Sequence, residues 1–169
     1  MKKHFIATFL CAGLGLIDTS RFARADSIGR YECSVVGAVA MDAIGDREGH
    51  VLRTVQFNCV GVDGLLKGGV YTAISIAEWT GSEGRYLLGD GVHRTAGGLA
   101  VAHTLEGIGS FTMRDGKPAG VTSSGRAIFS FASGTLASLA GRAIKFVSKT
   151  TGTNQFEMEI TDWSLFRSD

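Results

Sequence analysis

Val70-Tyr71-Thr72-Ala73-Ile74-Ser75-Ile76-Ala77-Glu78-Trp79, followed by Thr80-Gly81-Ser82-Glu83-Gly84, is the stretch that decides the fold. Successive side chains of a strand point to opposite faces. Val70, Thr72, Ile74, Ile76 and Glu78 therefore fall on one face, and Tyr71, Ala73, Ser75, Ala77 and Trp79 on the other. The glycines at 81 and 84 then mark a turn.

The same pattern repeats along the chain. Of 24 glycines, all but Gly13 and Gly15 lie beyond residue 25, with a single proline at 118. Glycine-bounded runs rich in β-branched and aromatic residues predict strands at about 29–38, 51–62, 69–79, 84–93, 98–113, 117–132, 142–149 and 153–165. Asp115-Gly116 predicts a tight hairpin, because glycine tolerates the positive φ of a primed turn. Pro118 lacks an N–H and belongs near a strand start or on an edge. One helical candidate spans 135–140: Thr135 would cap it, Leu136 and Leu139 would face one way, and Gly141 would end it. Eight consecutive strands with short connections predict an all-β domain. The expected form is a small antiparallel up-and-down barrel with one short helix near 135–140, with a β-sandwich as the alternative. A barrel leaves no exposed edge to protect.

Two hairpins have a readable register. Tyr31, Cys33 and Val35 share one face, and Val55, Phe57 and Cys59 another. A turn centred on Gly45-Asp46-Arg47 places Cys33 opposite Cys59 and Val35 opposite Phe57. At the other end, Thr150-Thr151-Gly152 is expected as a turn. Ile144 and Phe146 would then face Met158 and Phe156 on the inside, and Lys145 would face Glu157 outside.

Residues 1–25 read as a cleaved signal peptide, with 26–169 as a single β domain. Lys2, Lys3 and His4 open it, an apolar run covers Phe5 to Ile17, and Ala23-Arg24-Ala25 is a small-x-small cleavage site. The run falls short of the about 20 residues that span a bilayer, and no later stretch supplies a transmembrane span. The expected location is periplasmic or secreted. Cys11 leaves with the signal, and the two remaining cysteines, Cys33 and Cys59, are expected to form a disulfide in an oxidising compartment. The mature chain keeps 13 Lys and Arg against 15 Asp and Glu. So balanced a surface has no basic field for phosphate backbones, and no nucleic-acid partner is expected.

Short catalytic motifs are absent. Gly120-Val121-Thr122-Ser123-Ser124-Gly125 has the wrong spacing for a nucleophile elbow, and Gly107-Ile108-Gly109 lacks the rest of a dinucleotide loop. A zinc site needs three or four converging ligands, and both cysteines are committed elsewhere, so no metal and no cofactor is expected. The ligand-binding candidates are Glu78, Trp79 and His103. Glu78 ends an apolar stripe and would reach a cavity rim if that face turned inward, whereas an outward face would leave it in solvent. Trp79 beside a turn serves packing or ligand stacking. His103 shares a face with Leu99, Val101 and Leu105, which is expected to be buried, with His103 bound into the core or lining a pocket. Glu106 is expected on the face opposite His103, and His93, beside Arg94 at a strand end, is read as solvent-facing.

Three function classes remain. One is an exported binding module for a small apolar ligand or a protein partner. A second is a barrel enzyme of the isomerase or cyclase kind, working through one buried histidine or carboxylate. The third is an envelope-structural protein. A membrane barrel is disfavoured by 9% aromatics and by Lys145, Lys149, Glu157 and Glu159 on the outward face. The general plan is similar to that of small exported bacterial β-barrels, which include ligand binders, enzyme inhibitors and lipid isomerases, and such a likeness does not fix function. The interior is the discriminator. An apolar cavity of ~300 Å³ or more favours ligand binding, a buried unpaired histidine or carboxylate at its base favours catalysis, and a filled interior favours protein contact.

Overall fold

A computed structural model describes residues 27–163. The expected signal segment and the end of the chain from 164 lie outside the described residues. Nine strands follow in order: β1 (Ser27–Val35), β2 (Ala40–Ala43), β3 (His50–Gly64), β4 (Val70–Thr80), β5 (Glu83–Thr95), β6 (Gly98–Arg114), β7 (Lys117–Gly134), β8 (Ala143–Gly152) and β9 (Gln155–Asp162). Each pairs antiparallel with its neighbour from β3 to β9, and β1 closes the ring by pairing with both β9 and β3. The fold is a closed eight-stranded barrel plus one extra strand. That strand, β2, pairs with β3 at 51–54, while β1 pairs with β3 at 57–64. β2 therefore prolongs the line of β1 past a break at residues 36–39, along the same edge of β3.

The first expected register is correct. Cys33 pairs with Cys59 and Val35 with Phe57, and the two sulfurs lie at disulfide distance, 2.06 Å. Asp115 and Gly116, with φ of 52° and 73°, make the two-residue turn between β6 and β7. The last hairpin keeps its expected faces but not its turn. Asn154, at φ 56°, lies in that turn, and Phe146 pairs with Ile160 rather than Phe156. Lys149, not Lys145, faces Glu157. The slip is an even number of residues, so every side chain stays on its expected face.

The expected helix is a single 3-10 turn, Ala137–Leu139. Thr135 does not cap it, because its hydroxyl bonds the Thr95 hydroxyl (3.0 Å) and the Ala96 carbonyl (3.4 Å) of the β5–β6 connection. Six residues without a cap are too few to carry a helix nucleus. Leu136 and Leu139 are nonetheless fully buried, and with Leu66, Phe129, Tyr31 and Ala100 they belong to the core that fills the closed end of the barrel. The connections 65–69, 96–97 and 135–142 gather at that end. The hairpin turns 44–49, 81–82, 115–116 and 153–154 gather at the other. No helix among the described residues is long and apolar enough to cross a membrane.

Candidate functional site

Above the plugged end the interior opens into a cavity of about 260 Å³. Val55, Phe57, Phe146, Phe156, Met158 and Ile160 make its apolar walls, with Ser75, Tyr86, Thr104, Ser123 and Ser148 interspersed as hydroxyl groups. Asn154 and Gln155 line it too and are exposed, so it reaches solvent at the hairpin-turn end. The space exists because several strands turn glycine or alanine inward where others turn aromatic rings. Gly125 lies beneath the Phe146 ring, where an added Cβ would meet ring carbons at 2.6 Å.

His93 forms part of the cavity wall and is 1% exposed. Its ring stacks on Tyr71 at 3.9 Å with 10° between the planes, and Nδ1 lies 2.7 Å from the Tyr31 hydroxyl. Among the described residues, Nε2 is buried and has no partner. If Tyr31 donates to Nδ1, the proton sits on Nε2 and only that N–H is unmet; the other tautomer leaves two groups unmet. The first arrangement wins because each unmet buried group costs about 1–3 kcal/mol. Burial pushes the imidazole pKa down to about 3, so the ring is neutral. Burial also holds the Tyr31 and Tyr71 hydroxyls protonated, well above the ordinary tyrosine range. His93 is therefore a neutral donor on a cavity wall, not the solvent-facing residue its position beside Arg94 suggested.

Arg53 also lines the cavity, near the open end and half-buried. Its guanidinium lies 5.9 Å from the centre of the Trp79 ring. Burial pulls its pKa below the ordinary arginine value, with Tyr86 acting in the opposite sense.

The three expected site residues are not brought together. His103 is on the outer surface, half exposed, with Nδ1 2.8 Å from Asp90 Oδ1. The expected buried face of that strand is inverted: Ala100 and Ala102 point inward, and Leu105 is bulged out. That bulge also brings Glu106 to the outside, where it accepts from Arg126 Nε at 2.6 Å. Glu78 is outward as well, since Tyr71, Ala73, Ser75, Ala77 and Trp79 form the inner face of β4. It accepts from His50 Nε2 at 2.6 Å, while His50 Nδ1 bonds Asp46. Arg47 joins the cluster through Asp46 (2.7 Å) and Thr80 (3.1 Å). The hydrogen bonds to Asp46 and Glu78 hold the His50 pKa above its ordinary value. This cluster ties the 44–49 loop to the end of β4. Trp79 is buried at the turn end, against Phe111 at 4.5 Å, and an added Cβ on Gly84 would sit 2.3 Å from its ring. Its Nε1, like His93 Nε2, is buried and has no hydrogen-bond partner among the described residues.

Sequence reasoning missed His93 and Arg53. A signal for His93 was present: Gly89, Gly91 and His93 alternate on one face, and two glycines there leave room for rings from other strands. No protein-family model, curated protein or solved structure matches the chain.

Proposed function

We propose that this chain is an exported barrel that binds a small, largely apolar molecule in its interior. The observation that carries the reading is the buried Nε2–H of His93, unpartnered on the wall of a cavity of about 260 Å³. A buried donor without an acceptor is costly, and an oxygen atom of a bound molecule would remove that cost. Apolar walls with a few placed polar groups are the usual make-up of a small-molecule site, and this volume is just below the ~300 Å³ where such sites commonly begin. The ligand is correspondingly small.

Binding is favoured over turnover by the state of His93. A general base works best with a pKa near the operating pH, and a ring held neutral down to about pH 3 is far from that. Its chemistry is hydrogen-bond donation. Export rests on the segment 1–25 read as a signal, with which a disulfide-distance cysteine pair is compatible.

The test is to purify the chain from its native compartment without denaturant, extract it and identify the released small molecules by mass spectrometry. The reading expects one dominant compound at near one per chain. An Ala127→Phe variant, filling the cavity, should fold and carry none. An empty wild-type chain, or an equally loaded Ala127→Phe chain, would overturn it.

A further inference from the structure

We infer that the molecule held in the barrel is a small organic anion, a monocarboxylate with an apolar body, and that Arg53 is its counter-ion. The inference rests on the interior-binding reading above and adds the ligand's charge to it. Arg53 stands on β3 between Met41 of β2 and Ala77 of β4, facing inward at the open end of the cavity. Among the described residues, no carboxylate lies within 4 Å of its guanidinium. Its neighbours are aromatic instead: the Trp79 ring, and Tyr86 close enough to act on its charge.

The other described arginines show how unusual this is. Arg47, Arg126 and Arg142 each meet a carboxylate, and Arg30, Arg85, Arg94 and Arg114 are exposed to water. Arg53 has neither. No Asp, Glu or Lys is found among the described residues that line the cavity, so the cavity carries one uncompensated positive charge. A half-buried cation without a partner is disfavoured unless something supplies the opposite charge. A planar carboxylate suits a guanidinium fork, which can hold both oxygens at once.

Size and polarity narrow the class further. At ~30 Å³ per water-sized group, 260 Å³ admits on the order of ten non-hydrogen atoms. Below Arg53 the wall combines the apolar Val55, Phe57 and Phe146 with the uncharged hydroxyls of Ser75, Ser123 and Ser148. A molecule with one charged end at Arg53 and a largely apolar body fits those walls, with any second oxygen placed to accept from the His93 Nε2–H. A phosphorylated or polyanionic ligand would find a single cation and no second one.

Octanoate, octan-1-ol and octylamine, titrated calorimetrically into the mature disulfide-bonded chain at low salt, test the inference. Octanoate should bind at least tenfold more tightly than octan-1-ol, and octylamine should bind more weakly than either. Arg53→Gln should reduce octanoate to the affinity of octan-1-ol and leave octan-1-ol unchanged, and Arg53→Met should do the same should the first variant fold poorly. Arg53→Lys should recover part of the loss. Equal affinity for acid and alcohol in the wild type, or no response to either neutral variant, would remove the anion assignment and leave interior binding standing. Failure of all three compounds to bind would take down the interior-binding reading itself.

Discussion

The wall of the barrel is built in two contrasting ways. Where the ring closes, β1 is paired along its length on both sides, with β3 and with β9, and Cys33 and Cys59 are joined across one of those ladders. Half-way round, β5 and β6 pair at 83–85 with 108–110 and at 90–95 with 98–103. Between those stretches, no ladder pair joins 86–89 to 104–107 among the described residues. Two bulges border this gap, one leaving Leu87 and the other Leu105 out of the pairing with the outer neighbour. Both leucines are more than half exposed. The Thr104 hydroxyl donates to the Gly89 carbonyl across the gap and replaces one ladder bond. The β1–β9 ladder joins the two ends of the described chain and carries the larger loop entropy, whereas the disulfide fastens β1 to β3, 26 residues apart in sequence. Neighbouring strands joined by a two-residue turn stay together even with four residues of their ladder unmade.

The largest expected effect is at the disulfide between β1 and β3. Replacing both cysteines by alanine should lower unfolding free energy by about 3–4 kcal/mol in the chain-entropy account of a loop this long, measured by urea denaturation. A loss below about 1 kcal/mol would mean that the ladders alone hold the ring.

A smaller effect is expected at the His50 cluster, which fastens the open end. The His50 pKa is raised, chiefly by its hydrogen bond to Asp46 and also by that to Glu78. Its contribution is full below the ordinary histidine value of ~6.5 and is lost as pH climbs through the raised value. Asp46 is shifted the other way, chiefly by its bond to His50, so its share is lost as pH falls below the ordinary carboxylate range. Amide exchange of residues 44–49 should thus be slowest between about pH 4 and 6.5, after correction for intrinsic rates. His50→Gln should flatten that profile. An unchanged profile would show that the loop is held by its backbone alone.

The smallest effect belongs to the gap. Leu87→Ser and Leu105→Ser should each change stability by less than about 0.5 kcal/mol, as exposed positions do. A loss above about 2 kcal/mol for either would show the gap to be closed and its leucines packed in solution.

The barrel, the disulfide and the inner faces of the last hairpin were legible because each follows from strand alternation and turn chemistry. Parity survives small register errors, which is why Phe146 and Phe156 were placed inward although their pairing was wrong. The site was legible only in part, since on β4 and β6 the outward face carries apolar residues as the inward one does. On β4 the outer face carries Val70, Ile74 and Ile76, and the inner face carries Ala73, Ser75 and Ala77. The same inner face also carries the rings of Tyr71 and Trp79, so small residues and large rings share the inside. Reading the more apolar face as buried turned His103 the wrong way, and the place of His93 beside Arg94 at a strand end hid it. Arg53 was invisible for a different reason. One arginine in a strand reads as solvent-facing until its neighbours across the barrel are known.

The most direct measurement of the central claim is a crystal structure of residues 26–169 grown with 6-bromohexanoate, recorded at the bromine absorption edge. The account expects one anomalous peak inside the barrel, near Phe146 and Met158, with carboxylate density at Arg53. A bromine bound only on the outer face, or an interior filled by the chain's own side chains with no bromine at saturating ligand, would contradict it.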